Sequence, residues 1–183
     1  MSITTLDPKT ALIVVDLQKG IVSHAPAQVF PRVLERNQAL LAAFRARGLP
    51  VVLVNVAGIA PGRNEQPRMS APPPGWDELL PELGRQASDI LVTKHTWGAF
   101  VRTGLEDHLK ALGVTQVVIT GVATSIGVES TARQAYEAGF NVTLATDAMT
   151  DLNPEAHQRS IDLIFPRLGE TGTAQDIIDR LGV

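Results

Sequence analysis

The chain has 183 residues, 44% hydrophobic and 19% charged, with a net charge of −3. That balance excludes a disordered, strongly charged tail and argues against a broad phosphate-binding surface. With no cysteine, it also has no disulfide, no thiolate zinc site and no thiol nucleophile.

The N-terminal stretch "MSITTLDPKTALIVVDLQ" lacks a basic region, a long apolar segment and a small-residue cleavage site. No apolar run approaches the ~18–20 residues that span a bilayer. The expectation is one cytoplasmic domain over 1–183, without nucleic-acid or membrane partners.

The first element is "ALIVVDL" (11–17), a near-continuous apolar run rich in branched residues, as expected for a parallel strand buried on both faces. A helix follows over 32–47, with Val33, Leu34, Leu40, Leu41 and Phe44 on one face and Gly48 as its stop. "VVLVNVA" (51–57) is the second strand. The Pro-rich 58–75 has no periodicity and is expected to be a loop at the substrate mouth or at a subunit contact.

"DILVTK" (89–94) is the third strand and 103–112 the next helix, carrying Leu105, Leu109 and Leu112. "QVVITGVA" (116–123) leads into a helix over 126–138 with a stripe of Val128, Ala132, Ala135 and Tyr136. "NVTLATDAM" (141–149) is the fifth strand, followed by a helix in "NPEAHQRSIDLIF" with Asn153 as N-cap and Pro154 at the first position. A short sixth strand near Glu170–Thr171 precedes the helix "TAQDIIDRL", which Thr173 can cap. Alternating strands and helices predict right-handed βαβ units, an α/β fold with a mostly parallel sheet covered on both faces.

In such sheets ligands bind beyond the carboxyl ends of the strands. The polar residues there are Asp16 with Gln18, Asn55, Lys94, the 121–127 turn and Asp147. Asp16 follows five apolar residues, and Lys94 is a cation able to offset its desolvation, either as an acid/base pair or as a structural ion pair. "ATSIG" approaches a nucleophile elbow centred on Ser125, with Asp147 or Asp151 and His157 downstream. Ala123 departs from that pattern and His157 follows either Asp too closely, so Ser125 reads as a turn or capping residue. None of the histidines has zinc-type spacing; His95 is a pocket candidate, whereas His108 and His157 read as helix surface. Trp97 and Phe100 are candidates for an apolar wall against a planar substrate, or for plain core.

Taken together, "ALIVVDLQKG", "VTKHTWGAF" and "GVATSIGVESTARQAYEAGFNVTLATDAMTD" resemble the isochorismatase-like hydrolases, in the correct order over nearly the whole chain. The resemblance implies a three-layer αβα, Rossmann-like fold with six parallel strands in order 3-2-1-4-5-6, and a homo-oligomer, dimer or tetramer. It puts the family's Asp on Asp16, its Lys on Lys94 and its usual Cys on Gly127. It also implies a cis peptide at Val122–Ala123 and an oxyanion-binding turn at Val122, Ala123 and Thr124, with Gln18, Trp97 and Phe100 lining the substrate.

Glycine closes the covalent route that the cysteine members use. The family's vinyl-ether cleaving members also lack the Cys. By that analogy Asp16 is the proton donor, Lys94 balances its charge or anchors an anionic substrate, and Gly127 makes room. The second strand ends "VNVAGIAPG", without the metal ligands of nicotinamidase-like members. No metal, no cofactor and no nicotinamidase activity are therefore expected. The expectation is a hydrolase acting on a small molecule of the vinyl-ether or amide class. The alternative is a catalytically silent member that binds a small molecule or acts as a scaffold.

Overall fold

The computed structural model describes residues 3–65 and 72–182. Six parallel strands run in the order β3-β2-β1-β4-β5-β6, as expected. They are β1 (Thr10–Val15), β2 (Val51–Val56), β3 (Ile90–Lys94), β4 (Gln116–Val122), β5 (Asn141–Thr150) and β6 (Glu170–Gly172). The helices are α1 (Lys19–Val22), α2 (Phe30–Ala46), α3 (Leu105–Ala111), α4 (Glu129–Glu137), α5 (Pro154–Arg159), α6 (Phe165–Leu168) and α7 (Ala174–Leu181). None of the described helices is long and apolar enough to cross a membrane.

The central strands β1, β2 and β4 are mostly apolar because both of their faces are covered. Side chains alternate along a strand, so Ala11, Ile13 and Val15 of β1 join one core while Leu12 and Val14 join the other. β4 divides likewise, Val117 and Ile119 against Val118 and Val122. The first core is closed by α3, α4 and α6 through Leu105, Leu109, Ala132, Ala135 and Phe165, and the second by α2 and α7 through Leu40, Leu41, Phe44 and Ile177. Asn153 caps α5 by accepting from two N–H groups, and Thr173 and Asp176 form a capping box on α7.

Two backbone features shape the carboxyl edge. Gly121 has φ +119°, and a Cβ there would lie 2.0 Å from the Val15 carbonyl oxygen, so β1 and β4 meet through a position only glycine fits. β5 bulges: Ile119 pairs with Leu144, but Gly121 pairs with Met149. The bulge is held to α2 by Asn37, whose Nδ2 donates to the Ala148 carbonyl at 2.9 Å and whose Oδ1 accepts from Thr120 Oγ1 at 2.6 Å.

Several elements differ from the sequence reading. The helix expected over 126–138 begins as a π-helical turn, Thr124–Val128, before α4, and Tyr136 faces solvent. The helix expected after Asn153 divides into α5, a π-helical turn (Ser160–Ile164) and α6, where Pro166 lacks the N–H that would continue the ladder. α1 was too short to show a period. The described parts of 58–75 form no helix or strand, and the middle of this loop lies outside the described residues. Just beyond it, Leu79 bridges Gln18 and the Trp76 ring lies where a Gly20 side chain would be.

Candidate active site

β1 ends at the crossover point of the sheet, and Asp16 is the first residue past it. Its φ of +53° lies in the left-handed region, rare for a residue with a side chain. Its N–H donates to the Val54 carbonyl at 2.9 Å, which fixes the turn to β2. Lys94 ends β3 and reaches across β2. Its Nζ donates to Asp16 Oδ2 at 2.7 Å, to the Trp97 carbonyl at 2.8 Å and to the Thr96 carbonyl at 3.3 Å, one acceptor for each ammonium proton.

The two side chains are only 1% and 6% exposed. Asp16 Oδ1 is buried with no hydrogen-bond partner. Burial pushes the Asp16 carboxyl up to about 6, against the opposing pull of Lys94. A carboxyl in that range can give or take a proton near neutrality.

The third wall comes from β4. The Val122–Ala123 peptide is cis, as the resemblance implied. The Ala123 carbonyl then accepts from the N–H groups of Ile126 and Val128, both at 3.1 Å, which closes the π-helical turn. This turn carries Gly127 to Asp16: a Cβ on Gly127 would lie 3.0 Å from Asp16 Oδ2 and 3.1 Å from Val15 Cγ1. Asp16, Lys94 and Gly127, distant in sequence, therefore share one corner of the sheet edge.

Other expected site residues are placed differently. Gln18 is buried, and its amide is spent on backbone, donating to the Val56 and Trp76 carbonyls and accepting from the Val56 N–H. Phe100 lies in the core with its ring centroid 5.9 Å from that of Phe140, because Phe100 N–H is drawn inward to Gln134 Oε1. Trp97 contributes its carbonyl to Lys94 while its side chain is 61% exposed. Thr124 points its hydroxyl at His157 Nδ1, 2.8 Å away. His157 is thus half-buried and not a surface residue; burial lowers its pKa against the opposing effect of Asp151.

Ser125 N–H and Oγ both donate to Asp151 Oδ2, so Ser125 is a turn residue and no Ser–His contact is formed. Asp147 sits in the β5 bulge and accepts from the Ala174 N–H. His95 is exposed and packs over Gly58. Among the described residues no group of three or more His, Cys, Asp or Glu is placed to hold a metal ion.

Sequence reading missed two supports. Thr131 Oγ1 donates to the Gly127 carbonyl at 2.7 Å and accepts from the Ala99 N–H at 3.1 Å, while Gln134 holds Phe100 N–H. Together they fasten the segment that supplies the Lys94 acceptors onto the turn that carries Gly127. A small polar residue on an amphipathic helix gives no sequence signal of this role.

A six-stranded parallel α/β sheet with a buried carboxylate–ammonium pair at its carboxyl edge defines a class of Rossmann-like proteins. The Isochorismatase domain model matches residues 10–176, and the chain belongs to the isochorismatase family of hydrolases. It is 41% identical over 183 residues to the uncharacterized isochorismatase family protein YecD of Escherichia coli O157:H7, covering 94% of this chain and 96% of that protein. It is 31% identical to the ureidoacrylate amidohydrolase RutB of Stutzerimonas stutzeri, over 83% of this chain and 74% of that one. The solved structure of an isochorismatase family protein (BTH_II2229) from Burkholderia thailandensis superposes with a TM-score of 0.93 at 40% identity, covering both chains fully.

Proposed function

We propose that the chain hydrolyses a small molecule at the Asp16–Lys94 corner without a nucleophilic side chain. The observation that carries this reading is the unpartnered, buried Oδ1 of Asp16, on a carboxyl raised to about 6. Lys94 holds the other oxygen and keeps the charged form available, while Gly127 offers no thiol and brings its backbone so close that even a Cβ would lie 3.0 Å from Asp16 Oδ2.

Two bond classes suit this arrangement. With a vinyl ether, protonated Asp16 delivers its proton to the enol carbon. Water then adds to the oxocarbenium carbon and returns a proton to Asp16, and the hemiketal collapses to a carbonyl compound and an alcohol. With an amide, ionised Asp16 takes a proton from water as it attacks the carbonyl, then passes that proton to the departing nitrogen. The amidohydrolase name of the RutB relative supports the amide class. The covalent route of the family's cysteine members is closed to this chain, which has no cysteine.

The test is kcat/KM against pH over a panel of amides, esters and vinyl ethers. An amide activity rises through about pH 6, as Asp16 ionises, whereas a vinyl-ether activity falls through it. Asp16→Asn abolishes either while the far-ultraviolet circular dichroism spectrum is retained. Turnover in that variant would overturn the proposal. Saturable stabilisation by a metabolite, with no turnover across the panel, would replace it with a binding role.

A further inference from the structure

A cavity of about 290 Å³ lies between the start of α2, the β5 bulge and α5. It shares no lining residue with the Asp16–Lys94–Gly127 corner. Its polar lining is Gln28, Arg32, Arg36, Thr146, Asp147 and His157; Val29 and Met149 add apolar surface.

The charges here do not cancel. Arg32 and Arg36 are one turn apart on α2 and so share a face, where like charges repel. Arg36 Nε lies 3.4 Å from Asp147 Oδ2, and the other oxygen of Asp147 accepts from the Ala174 N–H at 2.6 Å. Arg32 has no carboxylate partner among the described residues. Two arginines and one carboxylate that is already engaged therefore line the same concave site. A guanidinium fork matches two oxygens of a carboxylate or phosphate. His157 also lines the cavity, its Nδ1 paired with Thr124 Oγ1 at 2.8 Å.

We propose that this cavity binds a small oxyanion, a carboxylate or phosphate group held between Arg32 and Arg36 with a short apolar body against Val29 and Met149. Because His157 also holds Thr124, next to the cis peptide, an occupant is in hydrogen-bond continuity with the turn that carries Gly127.

The test is a titration followed by two-dimensional NMR, with inorganic phosphate in one arm and butyrate in the other, at ionic strength fixed with chloride. The expected result is saturable binding of at least one probe, with shifts at residues lining the cavity, the His157 ring and the Thr124 amide. Binding of butyrate alone assigns a carboxylate ligand, of phosphate alone a phosphate ligand, and of both a general oxyanion site. Arg32→Gln, at an exposed position that keeps the fold, weakens binding about tenfold or more. Failure of both probes to saturate at high millimolar concentration, or equal affinity in the Arg32→Gln variant, overturns the proposal. Loss of hydrolysis in Asp16→Asn leaves this binding intact, so the two readings fail separately.

Discussion

Asp16 meets Lys94 through one carboxylate oxygen and nothing through the other, and this asymmetry has a thermodynamic signature. Its pKa rises from 3.8 in the open chain to about 6 on folding, so between those values the folded state holds more protons than the unfolded one. Stability contributed by this group is therefore fully present below about pH 4 and lost as pH rises through about 6, by roughly 3 kcal/mol. Asp16→Asn should remove that fall, so the wild-type and variant stability curves, measured by urea unfolding from pH 4 to 7, should differ in slope within this window and run parallel above it. The pair itself was legible in the sequence because each member ends an apolar run. The role of Gly127 came only from the resemblance, since a glycine in a turn carries no chemistry of its own. His157 was misread as surface because a histidine on a polar helix looks solvated until the partner Thr124 is known.

At the level of elements, the central strands were readable because a strand buried on both faces is mostly apolar, and helix ends because Asn153 and Thr173 have the side chains that caps require. The π-helical turns were not readable. Their wider winding is imposed by tertiary contacts, and the local period does not report it. The turn after β4 illustrates this. Asp151 accepts from Ser125 N–H, Ser125 Oγ and Asn153 N–H, tying the start of the turn to the start of α5. Replacing Asp151 with Asn turns acceptors of charge-assisted bonds into a neutral, half-donating group. The expected cost is about 2 kcal/mol by chemical denaturation. Activity should fall through loss of turn geometry while the pH midpoint assigned to Asp16 stays in place, a split that a pH–rate profile reads directly.

Across the whole molecule, the fold depends on how closely β1 and β4 approach, because their junction separates the two cores and positions Asp16 beside the turn. Gly121→Ala would drive a methyl into the Val15 backbone at a φ that side chains avoid. The expected loss is about 4 kcal/mol or more, read as a collapse in soluble yield or a sharply lowered denaturation midpoint. Gly48→Ala is the matched comparison: its φ is also positive, +63°, but nothing lies within 4 Å of the added carbon, and the loss should be about 1 kcal/mol. The strand order was expected from the family resemblance, whereas the β5 bulge was not. It breaks no apolar pattern and is held by Asn37, a buried amide on a helix that otherwise reads as amphipathic.

The close approach of Gly127 to Asp16 makes the chain a reporter of its own site. A Cβ there meets Asp16 Oδ2 at 3.0 Å, a few tenths of an ångström inside ordinary contact, and the glycine φ lies outside the left-handed range. The native chain carries no thiol at all. A Gly127→Cys protein would therefore hold one alkylatable sulfur, placed against the carboxylate. The pH dependence of its reaction with a maleimide or an iodoacetamide would trace the ionisation of the thiol–carboxylate couple without background from any other thiol.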